Sequence, residues 1–119
     1  MTDIEALLKT GADANTKDIK GFSLLMNFAS HGDLESIQAL VTYGASINAT
    51  DFLGYRAIDY AISANSLDSV KFLIENGSAV TIETFDLAIN KRRKLIVDYF
   101  DNLDPNKYMF LRKKRNTWK

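Results

Sequence analysis

A chain of 119 residues fits one domain, and its 46% hydrophobic composition agrees with that. With no cysteine it can form no disulfide, thiolate zinc site or cysteine nucleophile, and with one histidine, His31, it can build no His-based dyad or metal cluster around a second. The formal net charge of zero conceals a split: residues 1–90 hold five basic and twelve acidic side chains, net −7, whereas from Lys91 onward ten basic meet three acidic, net +7, a polarity that orients charged partners and weakens with salt.

The first element is a short helix carrying Ile4, Leu7 and Leu8, stopped by Gly11. A polar stretch with Asp18 and Gly21 follows, where the glycine supplies a tight turn. The apolar spacing then predicts helices over 23–30 and 34–43. The second of these runs through Ile37, Leu40 and Val41 to Gly44, where a left-handed residue ends it. The same parts return: a polar stretch with Asp51 and Gly54, then helices over 56–63 and 67–76, with Val70, Leu73 and Ile74 ahead of Gly77. Between this second pair Asn65 stands where a glycine is due, and Asn tolerates the left-handed conformation better than most residues. A last helix pair is expected over 83–102. Asp104-Pro105, an N-cap followed by proline at the first helical position, predicts a short helix bearing Tyr108, Phe110 and Leu111. The repeated helices are too short to persist alone in water, so their stability must come from stacking.

These parts recur at a fixed step. Gly11, Gly44 and Gly77 are 33 residues apart, and the same step carries Ile4 to Ile37 to Val70, Leu7 to Leu40 to Leu73, Asn15 to Asn48, Asp18 to Asp51 and Gly21 to Gly54. A unit of this length, made of a turn and two short helices, resembles the ankyrin repeat. The resemblance covers 18–50 and 51–82 as full units and 1–17 as the back half of one. Beyond Ser78 the step shortens to 27, taking Ile58 to Phe85, Ala61 to Ala88 and Leu73 to Phe100; the six missing residues fall where a third finger is due. The resemblance implies an all-α, ankyrin-repeat solenoid of stacked helix-turn-helix units with β-turn fingers. The whole chain is then a single domain: a partial repeat 1–17, repeats 18–50 and 51–82, an atypical pair 83–102 and a basic helical tail 103–119. The family's Thr-Pro-Leu-His opening of the inner helix is replaced here by Ser23-Leu24-Leu25-Met26 and Arg56-Ala57-Ile58-Asp59. Ser23 can cap a helix and Arg56 cannot, which predicts modest stability.

Arrays of this family bind other proteins, so the resemblance implies a non-catalytic module that recognises a protein partner, as a modulator, inhibitor, effector or immunity protein. By the same analogy the contact positions are the finger tips, Ile19, Lys20 and Phe22, then Phe52, Leu53 and Tyr55, extended by Ser30, His31, Ser63, Ala64, Asn90 and Lys91 at the inner-helix ends. Apolar side chains in exposed loops point to a patch that a partner covers, against a purely structural role for Phe22 and Tyr55 between adjacent fingers. The alternative is an anion-binding module for nucleic acid or acidic phospholipid, built on Lys91, Arg92, Arg93 and Lys94 with Arg112, Lys113, Lys114 and Arg115, Trp118 serving as an interfacial anchor. On the plainer account the tail is a C-terminal cap with solvated cations. No glycine-rich phosphate loop or nucleophile elbow is present, so no enzyme, cofactor or metal is expected. The missing front helix leaves Ile4, Leu7 and Leu8 as a face for weak self-association. With no secretory pattern and no apolar run near the roughly 18 residues that span a bilayer, the expected location is the cytoplasm, or a host cell after export if the source is a pathogen.

Overall fold

Helix starts follow the local chemistry of the residues before them. In the computed structural model, which describes residues 3–103, α1 spans Asp3–Lys9, α2 Leu24–Ser30 and α3 Leu34–Thr42. Ser23 Oγ accepts the Met26 N–H at 3.1 Å and Asp33 Oδ1 the Ser36 N–H at 3.2 Å, so α2 and α3 each have an orphan donor satisfied. Next come α4 (Ala57–Ser63) and α5 (Leu67–Glu75). Arg56 offers no acceptor to α4; instead the carboxylate of Asp59 reaches back and takes the Arg56 N–H at 2.9 Å. The last pair is α6 (Ile82–Asn90), capped by Thr81 Oγ1 on the Thr84 N–H at 3.1 Å, and α7 (Lys94–Asp101). The four repeat helices expected from the spacing are therefore present to within one residue at each end. Among the described residues there is no strand, only an isolated antiparallel bridge between Lys17 and Ser23. The helix expected after Asp104-Pro105 lies outside them.

The helices stack in two layers. α2, α4 and α6 form the inner layer, α1, α3, α5 and α7 the outer one, and each inner helix packs on the outer helix that follows it. Register positions become core layers: Leu25, Ile58 and Phe85 are buried on successive inner helices, as are Leu40, Leu73 and Phe100 on successive outer ones. Leu7 departs from its series. It is 55% exposed where Leu40 and Leu73 are 0% exposed; among the described residues no inner helix precedes α1. Ile4 and Leu8 carry the contact of α1 with the rest instead.

The short turns between helices share one backbone solution. Gly32, Asn65 and Arg92 stand at corresponding places with φ of 65°, 56° and 56°. This left-handed conformation suits glycine, is tolerated by asparagine and strains arginine by about 1 kcal/mol.

Successive units are also bonded side by side. Asn15 Nδ2 donates to the Gly44 carbonyl at 3.2 Å while its Oδ1 accepts the Ser46 N–H at 2.8 Å. One period later Asn48 repeats both bonds, to the Gly77 carbonyl at 2.9 Å and from the Ala79 N–H at 2.8 Å. The third position in this series is Thr81, which caps α6 instead. There the chain turns straight into a helix: residues 76–81 connect α5 to α6, against 10–23 and 43–56 in the earlier units, and α6 takes up two of the lost positions by starting early.

Candidate protein-recognition surface

Each finger is a turn folded by one aspartate. Asp18 Oδ1 accepts the N–H groups of Lys20 at 2.8 Å and Phe22 at 3.0 Å, and Asp51 Oδ1 accepts those of Leu53 and Tyr55, both at 3.0 Å. Gly21 and Gly54 close the turns by donating to the Asp18 and Asp51 carbonyls at 3.0 and 2.9 Å. Gly21 also lies under the next finger. A Cβ there would sit 3.2 Å from the Asp51 Cα, in a conformation with φ 77° that disfavours any side chain. Across this close approach the Phe52 N–H donates to the Lys20 carbonyl at 2.9 Å, so the two fingers are bonded backbone to backbone.

With their main chains occupied, the fingers turn apolar side chains outward. Ile19 is 89% exposed, Phe52 80% and Leu53 79%. Lys20 is exposed beside them, and Tyr55 is less so. Phe22 is different: it is half-buried against the core, edge-on to the Tyr60 ring with centroids 5.2 Å apart. Tyr55 also lies edge-on to Tyr60, with centroids 6.0 Å apart. The structure thus gives Phe22 a packing role and leaves Tyr55 between packing and surface.

Tyr60, which the sequence did not single out, joins the finger to the inner helix. Its hydroxyl donates to Asp51 Oδ2. Burial, this bond and the charge of Asp51 push the Tyr60 hydroxyl up to about 12. Burial alone would raise Asp51, but bonds from Tyr60 and from the backbone of Tyr55, Leu53 and Gly54 outweigh it and hold its carboxyl below the usual range. Asp59, the residue before Tyr60 on α4, is raised, because burial outweighs the bonds it receives from the Arg56 N–H and the Thr84 hydroxyl.

The other predicted contact residues occupy the far ends of the inner helices, roughly 10 Å from the fingers at about 1.5 Å rise per residue. They form two rows, Ser30, Ser63 and Asn90, and His31, Ala64 and Lys91. His31, Asn90 and Lys91 are exposed and the rest half-buried. His31 Nδ1 lies 2.8 Å from the Asn27 carbonyl, which can only accept, so Nδ1 carries the hydrogen.

The basic residues divide. Lys91, Arg92 and Lys94 are exposed at the turn between α6 and α7, but Arg93 is used inside the fold. Its Nε and Nη2 donate to the Ile62 and Ser63 carbonyls at 3.2 and 2.6 Å, covering the last carbonyls of α4. Arg112, Lys113, Lys114, Arg115 and Trp118 lie outside the described residues.

Beside finger 2 lies a feature that neither motif nor composition announced: a groove of about 580 Å³ between that finger and α6. Two polar atoms on its walls, Arg56 Nε and Asp86 Oδ1, are withdrawn from solvent and make no hydrogen bond. Each such atom costs about 1–3 kcal/mol. The one sequence signal for this groove is the six-residue shortfall in the repeat. Among the described residues no cluster of His, Asp and Glu is arranged to hold a metal ion, and no helix is long and apolar enough to cross a membrane.

A family model for ankyrin repeats, in three copies, matches residues 2–84. No protein curated for function matches the chain. Ankyrin repeats are generally protein–protein interaction modules. On that match over most of its length, and on turns and asparagine bonds repeated unit by unit, the chain belongs to the ankyrin-repeat family.

Proposed function

We propose that the chain is a non-catalytic recognition module whose finger tips, Ile19, Lys20, Phe52, Leu53 and Tyr55, hold a protein partner, with Ser30, His31, Ser63, Ala64, Asn90 and Lys91 at the far ends of the inner helices extending the same surface. One observation carries this reading. Of the large apolar side chains that stand exposed among the described residues, the three most exposed, Ile19, Phe52 and Leu53, all belong to the fingers, where the turn itself is held by backbone and aspartate hydrogen bonds. The test is capture of partners from the native organism by the intact protein and by an Ile19→Ser, Phe52→Ser variant. The variant should melt at the same temperature and lose the partner; undiminished capture would overturn the reading.

The alternative, an anion-binding module, rests on the charge split of the chain and on exposed Lys91, Arg92 and Lys94. The engagement of Arg93 with α4 weakens it. Salt separates the two: binding through phosphate contacts falls steeply between 50 and 200 mM salt, whereas an apolar finger interface changes little. Exposed Leu7 supports weak self-association through α1, to be checked by sedimentation across a concentration series against a Leu7→Glu variant.

A further inference from the structure

Loss of the third finger leaves finger 2 without a neighbour on one side. In the preceding gap the Lys20 carbonyl accepts the Phe52 N–H at 2.9 Å. One period on, the corresponding carbonyl belongs to Leu53, and among the described residues no finger donates to it, because the chain runs from residue 76 to 81 directly into α6. The space where that finger would lie is the 580 Å³ groove. Finger 2 walls it with Leu53, Tyr55 and Arg56, α4 with Asp59, and α6 with Glu83 and Asp86.

Two properties of these walls define what fits. The first is backbone: the edge that finger 2 presents is the kind that its own fold fills, in the other gap, with the turn of the next finger, which donates the Phe52 N–H. The second is charge. Three carboxylates, Asp59, Glu83 and Asp86, stand against the single guanidinium of Arg56, and Asp86 Oδ1 has no donor. Asp59 is buried among them, where a neighbouring cation would favour its ionised form. Leu53 belongs both to the groove wall and to the apolar finger row, so an occupant of the groove is continuous with a partner that covers the tips.

We infer that the groove is a docking site for a Lys- or Arg-bearing segment of the partner protein, which takes the place of the missing finger, donates a main-chain N–H to the Leu53 carbonyl and sets its cation among Glu83, Asp86 and Asp59. This rests on the recognition function proposed above and names the chemistry of one part of that surface. The experiment is selection of a random 12-residue displayed peptide library on the full chain, followed by fluorescence anisotropy with the recovered peptides made synthetically. The recovered peptides should carry Lys or Arg. Their affinity should fall at least tenfold for Asp86→Lys and severalfold for the milder Glu83→Gln, Asp86→Asn pair, and stay unchanged for Glu35→Lys, an equal charge reversal on α3 away from the groove. Circular dichroism melts of each variant separate loss of binding from loss of fold. Peptides without a cation, peptides that bind Asp86→Lys equally well, or no recovered peptides would overturn the inference. So would peptides recovered only after Arg112, Lys113, Lys114 and Arg115 are all changed to Gln, for the chain's own tail would then hold the groove. Partner capture by the Ile19→Ser, Phe52→Ser variant judges the finger-tip reading separately, since it leaves the carboxylates in place.

Discussion

Fingers 1 and 2 are folded by the same bonds and live in different surroundings. In each, an aspartate collects the N–H groups two and four residues on, and a glycine closes the turn. Yet finger 1 has a neighbour against its Lys20 carbonyl, while finger 2 has a groove. Asn15 and Asn48 likewise bond the unit that follows, whereas Thr81 turns to cap α6. The turn is complete within one unit because its donors and acceptors are all local. The lateral bonds need half their atoms from the next unit, so deleting one finger leaves the previous turn intact and removes only what joined them. This is how a quasi-one-dimensional array loses a part without losing its fold.

Four measurements press on this contrast between interior and edge. The largest effect is expected in the core. Leu73→Ala should lower unfolding free energy by about 2–5 kcal/mol, whereas Leu7→Ala, two periods earlier and exposed, should change it by less than about 0.5 kcal/mol. Urea unfolding of both compares them directly, and equal losses would mean that Leu7 is covered in solution.

The tie between Tyr60 and Asp51 exists in the second finger alone, since Asn27 occupies the matching place in the first. Tyr60→Phe should cost about 1.5 kcal/mol at pH 7. The hydroxyl is raised from its ordinary 10 to about 12, so the stability it contributes is fully present below pH 10 and is lost as pH rises toward 12. Thermal melts should therefore fall over this alkaline range for the native chain and fall less for Tyr60→Phe. Asp51 behaves in the opposite sense. Its carboxyl is held low, so its contribution persists above the usual carboxylate range and disappears only as acid carries pH through the lowered value.

Asn48→Ala removes both bonds between repeat units at that position and should cost about 1 kcal/mol, moderated by the exposure of the site. Thr81→Asn should bring no gain, because the side chain at 81 is already committed to the Thr84 N–H as the cap of α6; a stabilised Thr81→Asn would contradict that assignment. The smallest effect has the reverse sign. Arg92→Gly should raise stability by about 0.5–1 kcal/mol by relieving a left-handed arginine. Gly32→Ala should lower it, since the added Cβ would also meet Ser66 Cβ at 3.2 Å.

Much of this was legible in the chain. The 33-residue interval located the paired helices, Gly21 with Asp18 and Gly54 with Asp51 marked the fingers, and the drop to 27 located the missing one. Asn65 was legible as a left-handed residue because a glycine is due at its place; Arg92 was not, since nothing in its own chemistry announces positive φ. Phe22 and Phe52 look alike as finger aromatics, yet one packs on Tyr60 and the other projects into solvent.

What the sequence determined by itself is whatever depends on bonds between near neighbours: helix caps, aspartate turns, glycine stops and the order in which they recur. Only the tertiary structure decided which members of a register series are covered, because burial depends on the unit next door. Leu7 and Leu40 carry the same residue at the same repeat position and differ in exposure, Arg93 reads as a surface cation and caps α4, and the groove beside finger 2 is made of residues from three elements that no local pattern connects.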